Sequence, residues 1–417
     1  LKETKIPAPW DLQSCIDYAK EQNITIRKNR ITAASTQIDV KTAKAALFPS
    51  LSFSTSQQVV NRPYQETSSR VSGSEIISSN SKTSYNGNYG LNASWTLYNG
   101  NKRLKTIQQE KLNNQVAELD VATSENNIQE SIAQVYIQIL YAAESVKVNE
   151  STLQVSIAQR DRGQELLNAG SIAKSDFAQL EAQVSTDRYQ LVTAQATLED
   201  YKLQLKQLLE LDGENEMNIY LPALSDENVL APLPTKKDVY IRALSLRPEI
   251  EASKLNVEAS ELGIGIAKSS YLPTISLSAG IGTNHTSGSD FTFGEQVKNG
   301  WNNSIGLSVS VPIFNNRQTK SAVQKAKLQY ETSMLSLLDE QKTLYKTIEG
   351  LWLDANSAQQ RYAAANEKLK STQISYELIS EQFNLGMKNT IELLTEKNNL
   401  LQAQQEQLQA KYMAILN

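Results

Sequence analysis

The chain has 417 residues, of which 40% are hydrophobic and 21% charged, and its formal net charge is -4 at pH 7. Because the net charge is small and no run of Lys and Arg occurs, we expect no nucleic-acid partner. No apolar stretch reaches the roughly 18 residues that a membrane-spanning helix needs, which excludes helical spans and leaves a membrane β-barrel open.

The start of the chain gives two expectations. It begins at Leu1 without an initiator Met or an apolar signal core, so an exported form is expected to have lost its signal peptide. Cys15 is the one cysteine, which excludes an intramolecular disulfide. It lies in the apolar-periodic run 12–26, and we expect it to be a small buried hydrophobe and not a reactive thiol.

An internal repeat determines the domain organisation. Three segments of the first half return in the second half, at offsets of 216 or 224 residues. They are Ala43–Ser54 with Ala267–Ser278, Leu97–Arg103 with Ile313–Arg317, and Asn168–Asp176 with Asn384–Glu392. The sequence of each half therefore predicts the same order of elements, namely helix, strand, loop, strand, long helix, tight turn and helix.

The two repeats are predicted to form one unit over residues 1–417. Repeat one covers 10–211 and repeat two covers 238–417. Between them, residues 212–237 are acidic, rich in Pro and without periodicity, which indicates a connecting segment.

Four segments alternate between apolar and small polar residues, the period of a β-strand, near 50–60, 85–98, 274–284 and 301–314. A soluble antiparallel sheet with one buried face is one interpretation. Strand lengths of about ten residues or more, aromatic residues towards the strand ends and uncharged polar faces favour membrane-spanning strands instead. Because membrane barrels need about eight strands or more, several protomers would share one barrel.

The Ser-rich segment 67–84 is expected to be an exposed loop.

Long helices are predicted on either side of two tight turns, in hairpins 101–211 and 317–417. Residues 101–168 contain no Pro, and a helix of that length would extend about 100 Å at about 1.5 Å per residue. Apolar residues recur at heptad spacing along both helices of the first hairpin and the first helix of the second, with Asn149, Asp187 and Thr372 as polar exceptions. These rows predict antiparallel coiled-coil hairpins that provide length and no chemistry.

The order and duplication of these features resemble the TolC-like outer-membrane efflux family. The resemblance extends from about Trp10 to Asn417 and includes the Pro49 and Pro273 strand entries, the Asn-x-Gly turns and the Arg247-Pro-Glu249 helix start. It implies an α+β membrane protein with an internal two-fold repeat. Three protomers would each contribute four strands to an outer-membrane β-barrel, continuous with a long periplasmic α-helical coiled-coil barrel.

The function implied by the resemblance is that of a passive exit duct in a tripartite efflux or type I secretion system. It would lie in the outer membrane of a Gram-negative bacterium and extend into the periplasm. The implied partners are two further copies in a homotrimer, a periplasmic membrane-fusion adaptor, an inner-membrane pump and outer-membrane lipid. The strand count alone would also permit a dimer.

Two other classes of protein are alternatives to the duct. A trimeric membrane-anchored coiled-coil structural or adhesive protein would not need an antiparallel return helix or a second strand pair. A soluble coiled-coil scaffold would be extracted from cells without detergent. An enzyme is disfavoured, since the one His, His285, is expected in a solvated loop after the third strand. No Cys/His cluster or Gly-rich phosphate loop occurs, so we expect no cofactor and no metal site.

The two turns carry the candidate functional residues. Gly170 and Gly386 are expected to adopt a left-handed backbone, and Asn168 and Asn384 begin the same turns, where the family docks its adaptor. The following carboxylates, Asp176 and Glu392, would also complement the positive end of a helix dipole.

The resemblance further implies a periplasmic gate at these turns. Glu392 matches an inner acidic ring, and Thr395 stands where many members have a second acid. Asp176 and Lys388 match a closing pair, and Phe383 stands where a Tyr hydroxyl is often found. Three Glu392 side chains around a narrow axis are expected to favour cations and to raise one another's pKa.

Overall fold

A computed structural model describes residues 9–65, 68–72, 74–79, 82–212, 217–222 and 229–417. The helices are α1 (Leu12–Gln22), α2 (Ile24–Ala45), α3 (Lys102–Asn168), α4 (Lys174–Leu208), α5 (Lys236–Leu246), α6 (Pro248–Ser269), α7 (Phe293–Asn299), α8 (Gln318–Asn384) and α9 (Thr390–Leu416). The strands are β1 (Ser50–Asn61), β2 (Ser68–Ser72), β3 (Glu75–Ser79), β4 (Thr83–Tyr98), β5 (Thr274–Thr286) and β6 (Asn302–Ser310).

The four predicted strands form one antiparallel sheet in the order β1-β4-β5-β6. The register places residues of similar polarity opposite each other along most of the sheet, with exceptions such as Asn303 opposite Ile281. One row is apolar, namely Leu51, Ala93, Ala279 and Ile305, and the next row is small and polar, namely Ser52, Asn92, Gly280 and Ser304. The strand prediction is therefore confirmed, although β6 ends at Ser310 and not near 314.

The loop prediction for residues 67–84 is wrong. β2 and β3 pair as an antiparallel ladder with Val71 opposite Ile76, and β4 begins at Thr83. The many serines hide the alternation, while backbone hydrogen bonds and a few β-branched residues suffice for a short ladder. Residues 67, 73, 80 and 81 of that prediction lie outside the described residues.

A short helix, α7, separates β5 from β6 and was also missed. Its first turn is fixed by a capping box in which Thr292 and Glu295 exchange hydrogen bonds with each other's backbone N–H groups. The Thr-x-x-Glu pattern was visible in the sequence, but seven residues are too few to show a helical period.

The chain divides into two units, and each contains residues from both halves of the sequence repeat. The first unit comprises Leu1–Ile31, Leu119–Ile250 and Asp339–Asn417, and the second comprises Thr32–Glu118 and Glu251–Leu338. None of the helices in the described ranges combines the length and apolar character needed to cross a membrane.

The main apolar cluster lies in the first unit. It contains Trp10, Cys15, Ile16, Ala19, Ile132, Val135, Ile139, Leu205 and Leu209. Cys15 is fully buried, and burial raises the pKa of its thiol to about 12, so the expected inert hydrophobe is confirmed. In the connecting segment, Ile219 forms a parallel bridge with Trp10, while residues 213–216 and 223–228 lie outside the described part.

The predicted long helices are confirmed, since α3 and α8 each have 67 residues. Several heptad positions are buried in the first unit, among them Leu153, Leu180, Val184, Ala358 and Tyr362. The polar exceptions Asn149 and Asp187 are buried as well. A buried polar side chain in an apolar seam needs a hydrogen-bonding partner, and Asp187 accepts from Ser156 and Lys397.

Candidate functional site at the hairpin tips

The two hairpin turns share one backbone geometry. Gly170 follows α3 with φ of 73° and Gly386 follows α8 with φ of 75°, so the left-handed conformation predicted for both is confirmed. In each turn the residue after the glycine donates a 2.8 Å backbone hydrogen bond to the carbonyl five residues earlier. A Cβ at either glycine would have no atom of the described residues within 4 Å, so conformation and not space favours glycine here.

The helices that follow the two turns are capped differently. In α9, Asn389 Oδ1 accepts from the Glu392 N–H at 2.9 Å, and Glu392 Oε2 accepts from the Asn389 N–H at 3.1 Å. In α4 the N-cap is Ala173, whose N–H donates to Asp176 Oδ2 at 3.3 Å. The second tip therefore has a complete capping box, and the first tip lacks its side-chain acceptor.

Lys388 pairs with Glu392 within the second tip, Nζ donating to Oε1 at 3.1 Å. The pKa of Glu392 is lowered, first by the Asn389 N–H and then by Lys388. The direction is opposite to the mutual increase expected of three neighbouring Glu392 side chains, which stays a prediction for the assembly. The expected pair of Asp176 with Lys388 does not form within one chain, and its formation between protomers also stays a prediction.

The remaining predicted gate residues lie in different environments. Thr395 is exposed on α9, whereas Phe383 is buried near the end of α8. Phe383 lines an open groove of about 240 Å³ together with Tyr376, Arg162 and Leu393. The structure thus places Phe383 among packed side chains of the hairpins, while Thr395 remains accessible.

The two tips differ in the polarity of their exposed surface. At the second tip, Leu385 and Met387 are each 70% exposed. The repeat-related positions at the first tip are Ala169 and Ser171. Exposed large apolar side chains in one small region are typical of protein contact surfaces.

A buried polar cluster, which the sequence analysis did not find, joins three helices of the first unit. Lys397 of α9 donates to Asp187 of α4 and to Ser156 of α3, and Ser156 donates to Asp187. Burial lowers the pKa of Lys397, and Asp187 partly offsets that effect. The signal in the sequence was the row Thr390, Leu393, Lys397 and Leu400, in which Lys397 occupies a seam position of α9.

The expectation of a solvated loop for His285 is wrong. His285 belongs to β5, stacks on Tyr89 with ring centroids 5.7 Å apart and meets Phe293 edge-on at 5.0 Å. Its partner across the sheet is Gly87, which leaves room for the imidazole. β5 extends to Thr286, two residues further than the alternation of apolar and polar residues indicated.

Where the chain is described, no group of three or more His, Cys, Asp and Glu residues could hold a metal ion.

Comparison with protein families gives one family-model match, described as outer membrane efflux protein, over residues 15–210 and 239–415. The chain is 24% identical over 294 residues to outer membrane efflux protein BepC of Brucella suis biovar 1 (strain 1330), covering 70% of this chain and 61% of that protein. It is 23% identical over 311 residues to outer membrane protein TolC of Escherichia coli (strain K12), covering 72% and 62%. The matches thus span less than two thirds of these relatives.

Solved structures share the fold. The crystal structure of CusC superposes with a TM-score of 0.82 at 18% identity and covers 99% of this chain and 93% of that one. The Campylobacter jejuni CmeC outer membrane channel superposes with a TM-score of 0.79 at 18% identity, covering 97% and 83%.

Proposed function

The chain belongs to the outer membrane efflux protein family, and from this premise we propose that it is the passive exit duct of a tripartite efflux or type I secretion system. It would conduct substrates across the outer membrane without catalysing a reaction. The energy would come from an inner-membrane pump that reaches the duct through a periplasmic adaptor.

The observation that carries this proposal is the uncovered apolar face of the four-stranded sheet. Ile305 is 77% exposed in β6, and Leu51, Phe53 and Leu307 are exposed on the same sheet. β1 and β6 are its outer strands and present backbone groups that a neighbouring strand could pair with. Lipid would cover the apolar face, and further copies of the chain would pair with the free edges of β1 and β6. Three copies would give a twelve-stranded barrel.

The partners follow from the tips. We assign adaptor docking to the hairpin turns, where Asn168, Gly170, Asn384 and Gly386 set the backbone geometry. The exposed Leu385 and Met387 at the second tip supply apolar contact area, which a docking surface needs. The polar first tip would contribute less binding energy.

The same turns would form the periplasmic gate. Glu392 of each copy would face a narrow opening and favour cations, with Thr395 leaving a second ring uncharged. Asp176 of one protomer and Lys388 of the next would hold the entrance closed, and Phe383 would pack behind them. Opening would then free Lys388 from the neighbouring protomer while its bond to Glu392 remains.

Conductance in a planar bilayer tests the duct. Purified protein is expected to insert and give cation-selective steps, and probes attached at residues 168–176 should be accessible only from the periplasmic side. A membrane-anchored adhesive stalk would give no steps and would expose those residues outside the cell. A soluble scaffold would be extracted without detergent.

Two variants test the gate. Glu392→Gln removes the charge but keeps a side chain that suits the third position of a capping box, so cation selectivity should fall while the tip stays folded. Asp176→Ala with Lys388→Ala should raise the resting conductance. Glu377→Gln, an exposed position of α8 away from the tip, is the matched control. Unchanged selectivity in the first variant, or unchanged conductance in the second, would contradict the assigned roles.

A further inference from the structure

The buried cluster of Ser156, Asp187 and Lys397 forms a closed hydrogen-bonding network. Asp187 Oδ2 accepts from Lys397 and Ser156, and Oδ1 accepts from Gln183 at 3.0 Å. The side chains of Lys397 and Asp187 are 4% and 2% exposed. Both oxygens of the carboxylate are therefore satisfied by groups from α3, α4 and α9, and water is excluded from the ion pair.

The network lies in an otherwise apolar seam. Leu393 and Leu400 flank Lys397 on α9, and Leu180 and Val184 precede Asp187 on α4, all of them buried. A buried ion pair is weak as a source of stability, because desolvation offsets its Coulombic attraction. A polar residue at a seam position instead selects one register, because other rotations leave it unpaired.

The repeat-related positions show that the hairpin does not require such a network. At the offset of 216 residues, Asp187 corresponds to Ala403, Ser156 to Thr372 and Lys397 to Glu181. Ala403 is buried and Glu181 is exposed, so an apolar seam suffices in the related place. The network is therefore an asymmetric addition to one contact between the two hairpins.

The position of Lys397 relates the network to the gate residue. Glu392 lies five residues earlier on α9, about 7.5 Å along the axis and about 140° around it. Holding Lys397 on one side of the helix consequently fixes the direction of Glu392 on a different side. We propose that Ser156, Asp187 and Lys397 position Glu392 by setting the rotation of α9 against the first hairpin, an inference that rests on the proposed duct function.

The test compares a neutral network with the wild type. Asp187→Asn with Lys397→Met removes both charges while keeping the side-chain shapes, so no unpaired charge is buried. We expect an unchanged melting temperature of the assembly, a severalfold rise in resting conductance and a loss of cation selectivity. The matched control is Lys368→Gln with Glu406→Gln, which removes an exposed 2.7 Å ion pair between α8 and α9. This control should change neither the resting conductance nor the cation selectivity.

Each result has a defined meaning. A double variant that melts and conducts like the wild type would overturn the positioning role. If the double variant does not fold, Ser156→Ala, which keeps both charges, decides the question: a smaller rise in conductance is expected, and no rise refutes the proposal. Absence of conductance in the wild type would instead reject the duct itself.

Discussion

At the scale of single residues, Glu392 combines two tasks in one carboxylate. One oxygen accepts from the Asn389 N–H and closes the first turn of α9, and the other accepts from Lys388. Both bonds favour the ionised form, so the pKa falls below its ordinary value. The proposed cation filter needs a carboxylate that stays ionised, and these two bonds favour the ionised form within a single chain.

The first prediction concerns pH. Because the folded pKa is lowered, the capping contribution of Glu392 is fully present above the ordinary Glu pKa, about 4.3, and is lost as the pH falls through the lowered value. Cation selectivity should follow the same course, as reversal potentials measured between neutral and acid pH would show. Lys388→Gln should move the midpoint upward. A midpoint above the ordinary pKa in the wild type would mean that repulsion among copies prevails.

The second prediction concerns Gly87. A Cβ at this position would overlap the imidazole of His285, so Gly87→Ala should displace the ring from Tyr89 and Phe293. Overpacking of this kind costs about 1–3 kcal/mol. Thermal melting in detergent measures the loss.

Two controls make the Gly87 experiment specific. Gly90→Ala on the same strand should cost less, since the nearest side-chain atom, Asn92 Nδ2, would lie 3.3 Å from its Cβ and would have to shift by only a few tenths of an ångström. His285→Ala in the Gly87→Ala background should recover most of the stability. Equal effects of both Gly variants would show that strand flexibility, and not the imidazole, is responsible.

At the scale of elements, the two hairpins differ where each return helix begins. Ala173 has the extended backbone of an N-cap, with φ of -78° and ψ of 157°, but no acceptor for the first amide groups. Asn389 has nearly the same backbone and supplies that acceptor. One return helix therefore has a complete capping box, and the other has only the bond from the Ala173 N–H to Asp176.

The third prediction uses this difference. Ala173→Asn should complete a capping box with Asp176 and stabilise α4 by about 1 kcal/mol, while Asn389→Ala should destabilise α9 by a similar amount. Amide hydrogen exchange in the first turns of α4 and α9 reports both changes locally. If Asn389→Ala speeds exchange in α9 but Ala173→Asn does not slow exchange in α4, the first tip cannot use a side-chain cap.

Elements with a strong period were predictable from the sequence, and short or sparsely apolar ones were not. The alternation in β4 and β5 and the long helices without Pro gave the sheet and both hairpins. The β2–β3 ladder was missed because serine carries no hydrophobic signal. The proposed gate residues rest on the family resemblance. Lys397 could not be predicted because it interrupts an apolar row and its partner Asp187 lies 210 residues away in the chain.

At the scale of the whole molecule, the two halves of the repeat are alike in the sheet and differ in the hairpins. Each half contributes two strands, and the central pairing of β4 with β5 joins the halves, with one register shift between Thr96 and Tyr98. Most rows across the sheet match in polarity, as a barrel wall requires on each face. The hairpins instead carry the differences: the cap at Asn389, the apolar second tip and the buried Lys397.

The last prediction tests which side of the sheet meets lipid. Leu307 pairs with Leu277 on the apolar face, and the next residue, Ser308, pairs with Ser276 on the polar face. A Lys on the lipid face near the bilayer midplane costs about 2–4 kcal/mol, and every copy in the assembly would bear that cost. Leu307→Lys should therefore abolish insertion, measured as assembled protein in the outer-membrane fraction. Ser308→Lys should insert normally and lower cation conductance, because its ammonium would line the lumen. Equal insertion of the two variants would contradict this orientation of the sheet.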